Sequence, residues 1–184
     1  WGVEAEPRSM VGYEHAHFTA PSHAHLSVLR GFLEYAMVAN DVYLKEFVRE
    51  GYEYARNFGI ARIGLFGDGC AMADMVALAV KLSDAGVGDY WEDVDQYVRN
   101  QLVEQQLVDA DLMKKVAEAS GAPHGVKTPR ETSDHVIDRM LGAFTGDYNN
   151  PIVLTNTWIM HCCTGNGTQA LYYVWEGIVR CKDG

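Results

Sequence analysis

Two adjacent cysteines, Cys162 and Cys163, stand in the run His161-Cys162-Cys163-Thr164-Gly165-Asn166-Gly167. Neighbouring cysteines rarely bond to each other, because the ring they would close is small and strained against disulfide geometry. As thiolates both can reach one soft metal ion. A thiolate held in that way is also a candidate nucleophile. A second pair of donors, Asp68 and Cys70, flanks Gly69. One carboxylate and three sulfurs make a complete tetrahedral set for zinc. Spacing alone leaves two readings open, a metal site and simple packing of small apolar thiols, since there is no pair of Cys-x-x-Cys motifs. Cys181, alone near the end of the sequence, reads as packing.

The histidines form a competing constellation. His15-Ala16-His17 and His23-Ala24-His25 are two His-x-His pairs. Such pairs bind metal in some hydrolases, but they are a common accidental match and serve equally as polar surface or as partners for sugar hydroxyls. His161 is a candidate to orient the cysteines beside it. His124 and His135 carry no specific signal and read as exposed. Gly165-Asn166-Gly167 lacks the Lys-Ser/Thr and the preceding strand of a phosphate loop. Its small residues fit close backbone approach, with Thr164 or Asn166 capping a helix.

The elements that must position these groups read as helices. Apolar residues recur at helical spacing from His23, through Leu26, Leu29, Phe32, Leu33, Ala36 and Met37. Asn40-Asp41 reads as a stop followed by a new N-cap. A second helix carries Val42, Leu44, Phe47, Val48, Tyr52 and Ala55, and the glycine-rich run 59–69 reads as a loop. Further helices are predicted over about 70–84, 90–108, 111–119, 131–141 and 166–180. Residues 142–160 read as irregular, with a short strand at Ile152-Val153-Leu154. Both cysteine-bearing segments fall at loop-to-helix junctions, where backbone N–H groups favour anionic sulfur. Trp91, Tyr97, Tyr172 and Trp175 recur at helical spacing and are expected in the core. Long helices in consecutive pairs predict an all-α architecture of helical hairpins, in one domain spanning 1–184.

Composition narrows the partners. The formal net charge of −10 leaves no basic stripe to neutralise phosphates, so nucleic acid is not expected as a partner, nor an anionic membrane surface. No apolar stretch reaches the roughly 18 residues of a membrane span. Four cysteines are too few for a disulfide scaffold, and the compartment stays open.

The chain resembles the β-L-arabinofuranosidases of glycoside hydrolase family 127 and their relatives. The residues that carry the likeness are Asp68-Gly69-Cys70, then Cys162-Cys163 with Asn166 nearby and Leu171-Tyr172 following. Tyr90-Trp91-Glu92-Asp93-Val94 with Arg99-Asn100 adds support. The resemblance implies an (α/α)6 toroid, of which this chain would be a portion, completed by the rest of the barrel or by a second copy. It implies zinc held by Asp68, Cys70, Cys162 and Cys163, with Cys162 as nucleophile of a retaining cleavage of furanosides such as β-L-arabinofuranosides. It also implies that His23, in Ser22-His23-Ala24, binds the carbohydrate. The chain departs from the family in having Asp rather than Glu at position 68. It also lacks the inserted loop that carries the general acid, so the proton donor is unassigned. The rival expectation is a non-catalytic helical domain, carbohydrate-binding or structural, in which zinc staples two helix starts.

Overall fold

The structure is a computed structural model, and it describes residues 22–119, 132, 134–146 and 161–179. The strand expected at 152–154, the pair His15 and His17, His124 and Cys181 lie outside these residues. Among the described residues the protein is all-α. Its helices are α1 (Ser22–Ala39), α2 (Val42–Arg56), α3 (Gly69–Asp84), α4 (Trp91–Tyr97), α5 (Ala110–Ala119), α6 (Val136–Met140) and α7 (His161–Gly177). Extended pairing is confined to two isolated bridges, Ile60 with Leu65 and Gln106 with Phe144. No described helix is long and apolar enough to cross a membrane.

The expected break between the first two helices is present. Asn40 adopts a left-handed conformation after α1, and Asp41 accepts hydrogen bonds from the backbone N–H of Tyr43 and Leu44 at 3.0 Å each. This is the N-cap role its short acceptor side chain favours. Leu29 meets Gly51, and Phe32 meets Phe47, so α1 and α2 form an antiparallel hairpin.

Three helices then run in the same direction. Asp74 of α3 meets His23 and Arg30 of α1, and Lys81 meets Glu34, so α1 and α3 are parallel. Cys70 meets Cys163 at the starts of α3 and α7. Near their ends the same two helices flank a cleft of about 230 Å³ lined by Ala77, Val80, Asp84, Tyr173 and Gly177. They too are parallel, with α3 between its neighbours. Of its sixteen residues thirteen are buried, from Gly69 through Val80 without a break and then Leu82. A helix this apolar on every side must be covered on every side.

Several expectations need correction. The helix expected over 90–108 is regular only to Tyr97. It then widens into a π turn over Val98–Leu102 and tightens into a 3-10 turn over Val103–Gln105. The helix expected over 131–141 is the single turn α6. The last helix begins at His161, five residues earlier than its apolar pattern indicated. Tyr97 is buried and Trp91 packs on the core as expected, but Tyr172 and Trp175 are exposed, Trp175 by 71%. Their helical spacing marks a stripe on the outer face of α7, where their rings touch each other at 6.0 Å between centroids.

The starts of α3 and α7 are fastened by the segment 142–146. The Leu107 N–H donates to the Ala143 carbonyl, and the Thr145 N–H to that of Gln105. The Gly69 N–H donates to the Gly146 carbonyl and the Thr164 hydroxyl to the Phe144 carbonyl. Thr164 is therefore an anchor rather than the expected cap. A Cβ at Gly167 would stand 2.6 Å from the buried Phe144 ring, whereas one at Gly165 would meet nothing within 4 Å. Two identical substitutions on one helix should thus act oppositely. Gly167→Ala is expected to lower unfolding free energy by about 1–3 kcal/mol through overpacking. Gly165→Ala is expected to raise it by about 0.5–1 kcal/mol through helix propensity. Urea denaturation of the two variants beside the parent protein measures both.

Candidate metal centre

Cys70 lies in the first turn of α3, and Cys162 and Cys163 lie in the first turn of α7. The parallel packing brings these turns together. The Cys70 and Cys163 sulfurs are 3.3 Å apart, those of Cys162 and Cys163 are 3.9 Å apart, and all three lie within 4.8 Å of one another. Zinc–sulfur bonds of about 2.3 Å in a tetrahedron set sulfurs about 3.8 Å apart, so the three thiols fit one such ion with small adjustment. Soft sulfur donors suit a soft or borderline cation. All three cysteines are free thiols.

Consecutive residues of a helix point about 100° apart, and this separates the vicinal pair. Cys163 faces α3 and is buried, while Cys162 is exposed. Burial, together with the neighbouring thiols, holds the Cys70 thiol far above its ordinary value, although a hydrogen bond with Asn166 opposes this. Asn166 is therefore a neighbour of the thiols rather than a cap. Burial also raises the Cys163 thiol against an opposing hydrogen bond with Cys70, helped by Cys162 and then by the charge of Asp68. The helix starts favour thiolate, but in the metal-free protein burial wins.

Asp68 is not brought into the thiol group. It is the N-cap of α3, and its Oδ1 accepts from the Ala71 N–H at 2.8 Å. The metal-ligand group among the described residues holds three thiols, with no carboxylate and no histidine. Glu53 is tied to Arg56 and to Tyr90, and Glu50 is exposed on α2. His135 is exposed as expected, opposite Asp138. His23 and His25 diverge: His25 is buried, and His23 is half-exposed, with Nδ1 2.5 Å from Asp74 Oδ2.

Asp74 is the residue that periodicity did not single out. It is only 1% exposed, and Arg30 Nη1 donates to its Oδ1 at 2.6 Å while Ser27 Oγ donates to Oδ2 at 3.2 Å. Arg30 also donates to the Tyr173 hydroxyl at 2.7 Å and lies over its ring. Burial alone would lower the Arg30 guanidinium, yet Asp74 and Tyr173 hold it above its ordinary value. The signal was present: one charge inside the apolar run Ala71-Met72-Ala73-Asp74-Met75-Val76. Gln101 was also missed. Its Oε1 accepts from the Phe66 N–H at 2.6 Å and its Nε2 donates to the Phe66 and Gly67 carbonyls, fixing the loop that delivers Asp68 and Cys70.

No protein-family model, curated protein or solved structure matches this chain. The reading of the centre accordingly rests on its geometry.

Because burial raises the Cys163 thiol and holds the Cys70 thiol far above its ordinary value, a metal must displace their protons on binding. Raising the pH removes that cost, so apparent affinity should rise with pH through the neutral range. Zinc loading at pH 7 is expected to release up to three protons, one from each thiol that binds it. Calorimetric titration in buffers of different ionisation enthalpy measures the release, and an uptake independent of buffer and pH would contradict the assignment.

Proposed function

We propose that this chain carries the zinc–thiolate centre of a retaining glycoside hydrolase acting on furanosides such as β-L-arabinofuranosides. The observation that supports this reading is the division of the cysteine pair. Cys163 is buried against Cys70, while Cys162, in the same group, is an exposed residue. A structural site needs only closure, whereas a nucleophile needs a sulfur that a substrate can reach.

Cys70, Cys162 and Cys163 would hold the ion, with Asp68 as the fourth donor that the resemblance to family 127 implies. Bound zinc supplies positive charge that keeps buried sulfur deprotonated. Cys162 then attacks the anomeric carbon to form a thioglycosyl intermediate, which water resolves with overall retention. The helices α1, α3 and α7 would be inner helices of an (α/α)6 toroid, a role for which their parallel packing is suited. His23, half-exposed at the start of α1, stands where the resemblance puts a sugar-binding histidine.

The rival reading, a zinc staple without catalysis, draws on the burial of Cys70 and Cys163 and on the absence of a carboxylate from the thiol group. The two readings part at Cys162. Metal analysis of the full-length protein should find about one zinc per chain, lost together with thiol protection in Cys70→Ser. Cys162→Ala should abolish turnover of aryl furanosides. Normal turnover by that variant would sink the hydrolase reading, and a metal-free parent with three freely reactive thiols would sink the centre itself.

A further inference from the structure

The hydrolase reading leaves one step without an agent, the proton that the leaving oxygen must receive. We propose that His23, held by Asp74, supplies that proton and later takes one from water, so that the acid/base of this protein is an imidazole rather than a carboxylic acid. The inference rests on the hydrolase reading but is carried by separate observations on α1 and α3.

The first observation is register. Asp74 lies one turn beyond Cys70 on α3, and it is reached from α1 by His23, Ser27 and Arg30 over two successive turns. With α1 and α3 parallel, His23 stands near the level of Cys70. Cys163 stands at that level too, because its sulfur touches that of Cys70. Both α1 and α7 pack on α3, and further down they are joined by Arg30 and Tyr173. His23 and Cys162 therefore belong to the same end of the three-helix layer, one on each helix flanking α3, and both are open to solvent.

The second observation is the bond that orients the ring. Asp74 already accepts from Arg30 and Ser27, and its Oδ2 lies 2.5 Å from His23 Nδ1. A carboxylate so placed fixes Nδ1 as the protonated nitrogen and leaves Nε2 for chemistry. Arg30 holds Asp74 at Oδ1, so the His23 ring is oriented by a buried carboxylate that is fixed from its other oxygen.

The steps balance. In the first, Cys162 Sγ bonds to the anomeric carbon as the bond from that carbon to the leaving oxygen breaks, and the oxygen takes the Nε2 proton. In the second, Nε2 takes a proton from water as the water oxygen bonds to the anomeric carbon and the carbon–sulfur bond breaks, its electron pair returning to Cys162. His23 is the catalytic residue, and Asp74 is a positioning residue that acts through it.

The test uses the full-length, zinc-loaded protein. His23→Ala should lower kcat/KM on methyl β-L-arabinofuranoside by about 10²–10⁴-fold. On the 2,4-dinitrophenyl glycoside, whose leaving group needs no proton, the first step should change far less, and added azide should restore turnover as a glycosyl azide of retained configuration. Equal losses on both substrates, or no loss, would overturn the proton-transfer role. Asp74→Asn should lower kcat with little change in KM, because an amide N–H facing the ring selects the wrong tautomer. Nitrogen-15 spectra of the imidazoles read this without turnover: in its neutral form His23 should carry its proton at Nδ1 in the parent and at Nε2 in Asp74→Asn. A neutral parent ring with its proton on Nε2 alone overturns the pairing. A parent protein that holds zinc yet cleaves neither glycoside overturns the hydrolase reading and the proton step together, while the nitrogen spectra still decide the Asp74–His23 pair.

Discussion

The burial of α3 on every side is the constraint from which the rest follows. Small residues, among them Ala71, Ala73, Ala77 and Ala79, let neighbouring backbones come close, and larger ones such as Met72, Met75 and Leu78 fill the spaces between helices. A single carboxylate in that surrounding is costly unless it is fully engaged. Asp74 is engaged by α1 directly and by α7 through Arg30 and Tyr173. Sliding α1 by one turn would strip Asp74 of its partners. Removing one partner of a buried ion pair costs about 3–5 kcal/mol, a large share of a domain's net stability. The buried charge thus acts as a register pin between α1 and α3, and α7 is tied to it through Arg30 and Tyr173.

The sequence showed most of the helical scaffold because most helices are amphipathic and capped. The α1 to α2 break was legible in Asn40-Asp41, whose conformational and capping preferences are local. Local rules failed where tertiary contact decides. The start of α7 was placed too late because His161-Cys162-Cys163-Thr164 has little helical periodicity of its own. Its anchors are the distant Phe144 carbonyl and the ring against Gly167. The π turn at Val98–Leu102 was hidden for a similar reason: a regular apolar repeat continues through it, yet the backbone widens where Gln101 binds the Phe66–Gly67 loop. Periodicity also cannot tell an inward stripe from an outward one, and Tyr172 and Trp175 are the case in point.

For the centre, pairing was legible and partnership was not. Asp68-Gly69-Cys70 and Cys162-Cys163 announced two donor pairs, and the fold joins three of the four donors. Asp68 was read for its charge, whereas the structure uses its length. One methylene brings Oδ1 to the Ala71 N–H in an N-cap geometry for which Glu is poorly suited. Having Asp rather than Glu at position 68 therefore bears directly on what this residue does when no metal is bound.

The same packing would couple metal binding at the three thiols to the fold. Three thiolates gathered within 4.8 Å would repel one another in a place where two of them are cut off from water. Without a cation the protein avoids that state by keeping the buried sulfurs protonated, at the expense of their use as nucleophiles. A bound cation reverses the balance, since sulfur deprotonated beside it is attracted rather than repelled. Metal occupancy and the close approach of the α3 and α7 starts then become one equilibrium. Cys162 would share in that equilibrium without being buried by it, because it sits one residue, and about 100°, away from the sulfur that the packing claims.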